Sequence, residues 1–342
     1  MARTRLILDF LAHGRSHRYG RHSSQRANLY VPAGPGPHPV IVLIHGGSWQ
    51  KRYGKVFMRW IAGDLLRRGY AVWNIEYRRV GADGGWPATF EDVATAIDHL
   101  AVLRDPHLDL ARVTFLGHSA GGHLALWAAA RPNLPPGAPG ALARPARDGS
   151  PPNTPPPVRP CRVVSLAGVA DLAEAYRRWR GGVVRDLMGG SPAEVPERYA
   201  AGDPMRLLPL QIPVLIVHGV HDQTVSIELS RGYAAAARRA GGEVELVEIE
   251  GPAGSHRAHL DPRGAAWAAV VERLDDPTAP LPAAARAAQD PDIPSGRQKS
   301  GRNEIKSLGR EGCADLLGRD GPLLPRARTR PAGTEPYQGE GS

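Results

Sequence analysis

The chain has 342 residues, 42% of them hydrophobic, which suffices for one large domain with a substantial core. Its 2 cysteines exclude a disulfide framework, and no apolar run approaches the length of a membrane-spanning helix. The formal charge of +9 comes from arginines scattered among acids, as in Arg104-Asp105 and Arg185-Asp186, so neither a nucleic-acid nor a membrane partner is expected.

Residues 1–18 are basic and weakly patterned, and are expected to fray. Their apolar stretch imitates a signal peptide, but it is short, carries Asp9 and meets no clean cleavage site, so a cytoplasmic protein is the expectation. Ser24 to Pro32 alternates like an early edge strand, and the Pro/Gly-rich turn at 33–39 hands over to a buried strand, Val40–Ile44. That strand ends in His45-Gly46-Gly47-Ser48-Trp49. Glycines there let backbone N–H groups face a cavity, as an oxyanion hole requires. Helical spacing follows from Met58 to Arg68, then a strand, Ala71–Ile75, then a helix from Phe90 to Leu103 with Val93, Ala96, Ile97 and Leu100 on one stripe.

Val113–Leu116 is the next strand. It runs into Gly117-His118-Ser119-Ala120-Gly121 and a helix-like segment, His123 to Ala130. Gly-x-Ser-x-Gly is a weak pattern alone, but between a strand and a helix it describes a sharp turn that presents a serine hydroxyl above a sheet edge. Residues 131–160 are dense in Pro, Gly and Ala and are predicted to form an excursion on the surface, an insertion without regular helix or central strand. Cys161–Leu166 resumes as a strand, and 171–208 is mostly helical. Val214–Val217 is a strand, Ile227–Ala240 a helix, Val244–Ile249 the last strand and Ala265–Leu274 the closing helix. Strands alternating with helices predict an α/β domain over 19–276: a mostly parallel sheet with helices on both faces and active-site residues at the strands' carboxyl ends. From 277 to 342 the composition turns polar and Gly/Pro/Arg-rich, which predicts a disordered, low-complexity tail.

His45-Gly-Gly-Ser-Trp49 together with Gly117-His-Ser-Ala-Gly-Gly-His123 resembles the α/β-hydrolase superfamily. The likeness is greatest to its esterase/lipase-like branch, which includes feruloyl-esterase-type, prolyl-oligopeptidase-type and kynurenine-formamidase-type hydrolases, and it covers Tyr19 to Leu274. The resemblance implies the α/β-hydrolase fold, with 171–208 as a cap-like insertion. It implies Ser119 as nucleophile and an oxyanion hole from the backbone of Gly46, Gly47 and Ala120. The triad order Ser, acid, His places the acid after a late strand, where Asp222 stands. Asp171 is the rival, with helix capping as its alternative role. The base comes last, where His256 and His259 compete. His256 matches the family's placement five positions before Asp261-Pro262, although Arg257 stands where relatives commonly have an aromatic or aliphatic residue. Trp49 either walls a pocket or anchors its loop.

A serine hydrolase with an acyl-enzyme intermediate needs no cofactor. No His-x-x-x-His on a helix, paired cysteine ligands or dinucleotide-binding glycine motif suggests a metal or nucleotide. The expected function is a carboxylesterase acting on a small-molecule ester or amide. The alternatives are an arylformamidase of the N-formylkynurenine type and a catalytically inactive binding protein on the same fold.

Overall fold

Each central strand is buried on both faces, and that property sets the architecture. The computed structural model describes residues 14–142 and 156–274. Eight strands are described: β1 (Gly14–Arg18), β2 (Arg26–Tyr30), β3 (His38–Ile44), β4 (Ala71–Ile75), β5 (Leu108–His118), β6 (Arg162–Leu166), β7 (Val214–Gly219) and β8 (Val244–Ile249). They form one sheet in the order β1-β2-β4-β3-β5-β6-β7-β8. The pairs β1–β2 and β2–β4 are antiparallel and every later pair is parallel. Continuous apolar runs such as Val40–Ile44 and Val214–Val217 are what a parallel sheet covered on both faces demands.

Odd and even residues of each strand serve different layers. Val40, Val42 and Ile44 face one layer with Phe115 and Val163. It is closed by α2 (Ala88–Leu103), α3 (Ala120–Ala129) and α7 (Ile227–Arg239). Ile41, Leu43, Leu116 and Val164 face the other layer, closed by α1 (Arg59–Arg67) and α8 (Ala265–Leu274) through Ile61, Leu65, Trp267 and Val270. The segment after β6 carries α4 (Leu172–Arg178), α5 (Gly182–Met188) and α6 (Pro196–Gly202). This is the mostly parallel α/β sheet that the alternation predicts, in the fold that the resemblance to the α/β-hydrolases implies. Among the described residues no helix is long and apolar enough to cross a membrane.

Two details differ from the sequence reading. Residues 14–18, placed outside the domain by their pattern, form β1 at the sheet edge, so β2 is not the edge strand. β1 has no apolar alternation because it is held by backbone pairing to β2 and not by side-chain burial. β5 begins at Leu108, five residues before its apolar run, where it pairs with His38 and Pro39 across a bulge. For the 131–160 surface insertion the structure adds a fastening that composition does not predict: its described flanks are tied to the core. Arg131 donates to both carboxylate oxygens of Asp98, at 3.0 and 2.7 Å, and the Val158 N–H donates to the same carboxylate at 3.2 Å. The middle of that insertion, residues 1–13, and the 277–342 tail with Cys313 lie outside the described residues.

Arg131 is buried, while Asp98 keeps 32% of its side chain exposed, which softens the cost of separating them. Arg131→Met is therefore expected to lower unfolding free energy by about 2 kcal/mol, read by urea titration. An unchanged midpoint would show that the pair does not anchor the insertion.

Candidate active site

Ser119 sits between β5 and α3 with φ 57° and ψ −119°, a conformation that L-residues adopt only under constraint. Its neighbours must be glycine for a steric reason. A Cβ on Gly117 would collide with the carbonyl of Gly121, and one on Gly121 with the carbonyl of Ile44 at the end of β3. The Ser119 N–H donates to the Leu166 carbonyl at 2.8 Å, which fastens the turn to β6. The Ala120 N–H opens α3 and belongs to the first-turn donors that have no intrahelical acceptor.

Asp222 and His256 arrive from the loops after β7 and β8. His256 Nδ1 and Asp222 Oδ2 are 2.7 Å apart, with the imidazole N–H donating. The other carboxylate oxygen accepts the N–H groups of Thr224 at 2.8 Å and Val225 at 3.0 Å. Burial alone would raise the Asp222 pKa. Hydrogen bonds from His218 and His256 and the backbone N–H bond outweigh it and hold the carboxyl well below the usual carboxylate range. With Nδ1–H committed to Asp222, His256 keeps Nε2 as its acceptor. Ser119 and His256 line one cavity of about 540 Å³ with Gly46, Gly47, Tyr53 and Trp60.

Two further imidazoles hold the backbone of His256. His118 Nε2–H donates to the His256 carbonyl at 2.9 Å, and His259 Nδ1–H is shared between the carbonyls of Ser255 and His256 at 3.2 and 3.3 Å. Burial, with the neighbouring His256, lowers His118 well below the ordinary histidine value. Burial and the nearby His218 push His259 down to about 4. Both stay neutral beside the His256 ring. His259, the rival base, is fully buried and its Nδ1 faces main-chain oxygens. Asp171, the rival acid, caps α4 by accepting the Glu174 N–H at 2.7 Å.

The loop after β3 is shaped by Gly47, Ser48 and Trp49, all with positive φ (114°, 52° and 55°). A Cβ on Gly47 would collide with Tyr53, and one on Gly46 would press on the His118 carbonyl. Glu76, at the carboxyl end of β4, fixes this loop. Its carboxylate faces His45 Nε2 at 2.7 Å and accepts from the Lys55 N–H at 3.0 Å and Arg79 at 2.5 Å. Arg79 also donates to the Tyr53 carbonyl at 2.6 Å. Tyr77 stacks on His45 at 4.3 Å and donates to its carbonyl at 2.8 Å. The sequence reading missed Glu76, although Glu76-Tyr77-Arg78-Arg79 follows a buried strand on the edge where functional residues gather. Trp49 takes both roles left open for it: it meets His123 edge-on at 5.3 Å and lines a second cavity of about 100 Å³ beside Ser119.

The BD-FAE family profile matches residues 27–236. The uncharacterized peptidase YuxL of Bacillus subtilis (strain 168) is 28% identical over 233 residues, 64% of this chain and 31% of that protein. The kynurenine formamidase of Drosophila melanogaster is 26% identical over 226 residues, 62% of this chain and 65% of that protein. The chain thus spans about a third of the first relative and just under two thirds of the second. Among solved structures, the thermophilic esterase Est2 of Thermogutta terrifontis superposes with a TM-score of 0.58 at 24% identity, over 77% of this chain and 92% of that one.

Glu76 gives a pH signature to the glycine loop. Burial would raise its pKa, but His45, Arg79 and the Lys55 N–H lower it from 4.5 to about 2. A depressed carboxylate contributes stability that is complete above the unfolded value and lost as pH falls through the folded one. Glu76→Gln is expected to cost about 3 kcal/mol at neutral pH, with the gap to wild type closing between pH 4.5 and about 2. Urea titrations at stepped pH read this, and a gap that stays constant across that window would contradict it.

Proposed function

The chain belongs to the BD-FAE family, and from that premise we propose that it is a hydrolase of the carboxylic-ester class, a carboxylesterase cleaving small esters through Ser119, His256 and Asp222. The observation that carries the proposal is the Asp222–His256 pair, 2.7 Å apart, with Asp222 buried and His256 opening onto the cavity that Ser119 lines.

In this mechanism Ser119 Oγ attacks the substrate carbonyl as His256 Nε2 takes its proton, and Asp222 stabilises the imidazolium. Negative charge gathers on the carbonyl oxygen. The backbone N–H groups of Gly47 and Ala120, with Gly46 shaping the approach, stabilise it by roughly 3 kcal/mol each. The bond to the leaving group then breaks, and that group departs with the proton from His256. Water, activated by the same imidazole, releases the acid and restores Ser119. No step calls for a cofactor. Est2 of Thermogutta terrifontis has been solved with propionate and with butyrate bound, which supports a small acyl group here. A second reading, cleavage of an aryl formamide, uses the same steps and is favoured by the likeness to the Drosophila kynurenine formamidase. Family membership argues against the inactive binding protein.

Turnover of p-nitrophenyl acetate tests the proposal. Ser119→Ala and His256→Ala are each expected to lower kcat by about 10⁴-fold or more, and Asp222→Asn by a similar factor through the wrong imidazole tautomer. Wild-type turnover by Ser119→Ala would refute the assignment.

A further inference from the structure

Two cavities of unequal size meet at Ser119. The smaller, about 100 Å³, is lined by Ser119 and Ala120, with Ser48 and Thr224 beside them, and walled by Trp49, Val169, Trp179, Val183 and Val225. Trp179 and Val183 come from the cap-like segment after β6: Trp179 ends α4 and Val183 belongs to α5. The larger, about 540 Å³, contains His256, Arg257 and Arg59 beside the aromatic rings of Tyr53, Phe57 and Trp60.

The chemistry of the proposed reaction decides which part of a substrate enters which cavity. His256 must hand its proton to the leaving group, so the leaving group lies on the His256 side. The acyl chain is then directed to the other side of the carbonyl, past Ala120 into the small cavity. At about 100 Å³ against about 540 Å³ it is the narrower of the two and suits a short acyl chain. Trp49, Val169, Trp179, Val183 and Val225 give it an apolar side for that chain, beside the hydroxyls of Ser48 and Thr224.

The large cavity differs in carrying charge. Arg59 and Arg257 are the charged side chains of its lining, and among the described residues no carboxylate lines it or pairs with either of them. Arg59 rests over the Trp60 ring at 4.8 Å, which keeps its guanidinium beside the cavity. Arg257 follows the base directly and is exposed at the mouth. A guanidinium pair facing an aromatic wall recognises a planar carboxylate-bearing group.

We infer that the active site is partitioned: the small cavity admits short acyl groups, and the large one binds a bulky, anionic leaving group through Arg59 and Arg257. The inference rests on the serine-hydrolase reading and names the substrate class that reading leaves open. The substrate is a short-acyl ester or formamide of an aromatic alcohol or amine that carries a carboxylate.

Two matched substrate comparisons on the full chain test it. Along p-nitrophenyl esters, kcat/KM is expected to fall at least about 100-fold from butyrate to octanoate. Trp179→Ala and Val183→Ala, which open the small cavity, are each expected to narrow that gap about tenfold. Between meta-acetoxybenzoate and its methyl ester, the anion is expected to be preferred about tenfold in kcat/KM, a factor that half-exposed guanidinium contacts can supply. That preference should vanish in the Arg59→Ala/Arg257→Ala double variant and shrink at high salt. A flat acyl-length profile, or an anion preference that is absent or survives loss of both arginines, would overturn the partition while p-nitrophenyl acetate turnover upheld the hydrolase. A folded wild-type chain that cleaves no ester or formamide would overturn the hydrolase reading, and the partition with it.

Discussion

The close approach of three backbones at Ser119 is the constraint on which the site depends. The end of β3, the end of β5 and the first turn of α3 pass so near one another that Gly117 and Gly121 leave no room for a Cβ. The same crowding forces Ser119 to φ 57°. It therefore raises the hydroxyl above the sheet and points the first amides of α3 toward the cavity. The strain is affordable because the surroundings over-determine it: Leu166 accepts the Ser119 N–H, and β3 and β6 flank β5 in register.

Around this turn the buried polar groups form two clamps. One is centred on Asp222, whose carboxylate gathers two backbone N–H groups and the His256 ring. Neutral His118 and His259 then grip the His256 carbonyl, so the elbow itself holds the His256 loop. Their neutrality matters electrostatically. A charged His118, with its ring 4.6 Å from that of His256, would oppose formation of the imidazolium. The other clamp is centred on Glu76. Through His45, Lys55 and Arg79 it fixes a glycine loop that adopts three successive left-handed residues and would otherwise be mobile.

Much of the fold is legible in the sequence because burial on both faces leaves a strong mark. Ala71–Ile75, with every residue buried, is bounded in the structure as its apolar run bounds it. β1 left no such mark, since backbone bonds to β2 secure it whatever its side chains. The fastening of Arg131 to Asp98 is equally silent: each residue looks like surface charge, and only the packing of the insertion against α2 brings them together. At the site, strand ends and glycines single out His45, Gly46, Gly47 and Ser119. Spacing favours His256 over His259, but the meeting of His256 with Asp222 is a tertiary fact. Glu76 escaped notice because a lone acid after a strand reads as a loop residue until the loop it grips is seen.

The most direct test of this account is the position of a covalent adduct. The chain would be treated with a fluorophosphonate and its peptides mapped by mass spectrometry. A single adduct on Ser119, lost when the protein is first unfolded, is the expected result, because activation requires the folded turn and the His256–Asp222 pair. An adduct on another residue, or none on the folded protein, would contradict the claim that this turn presents an activated serine.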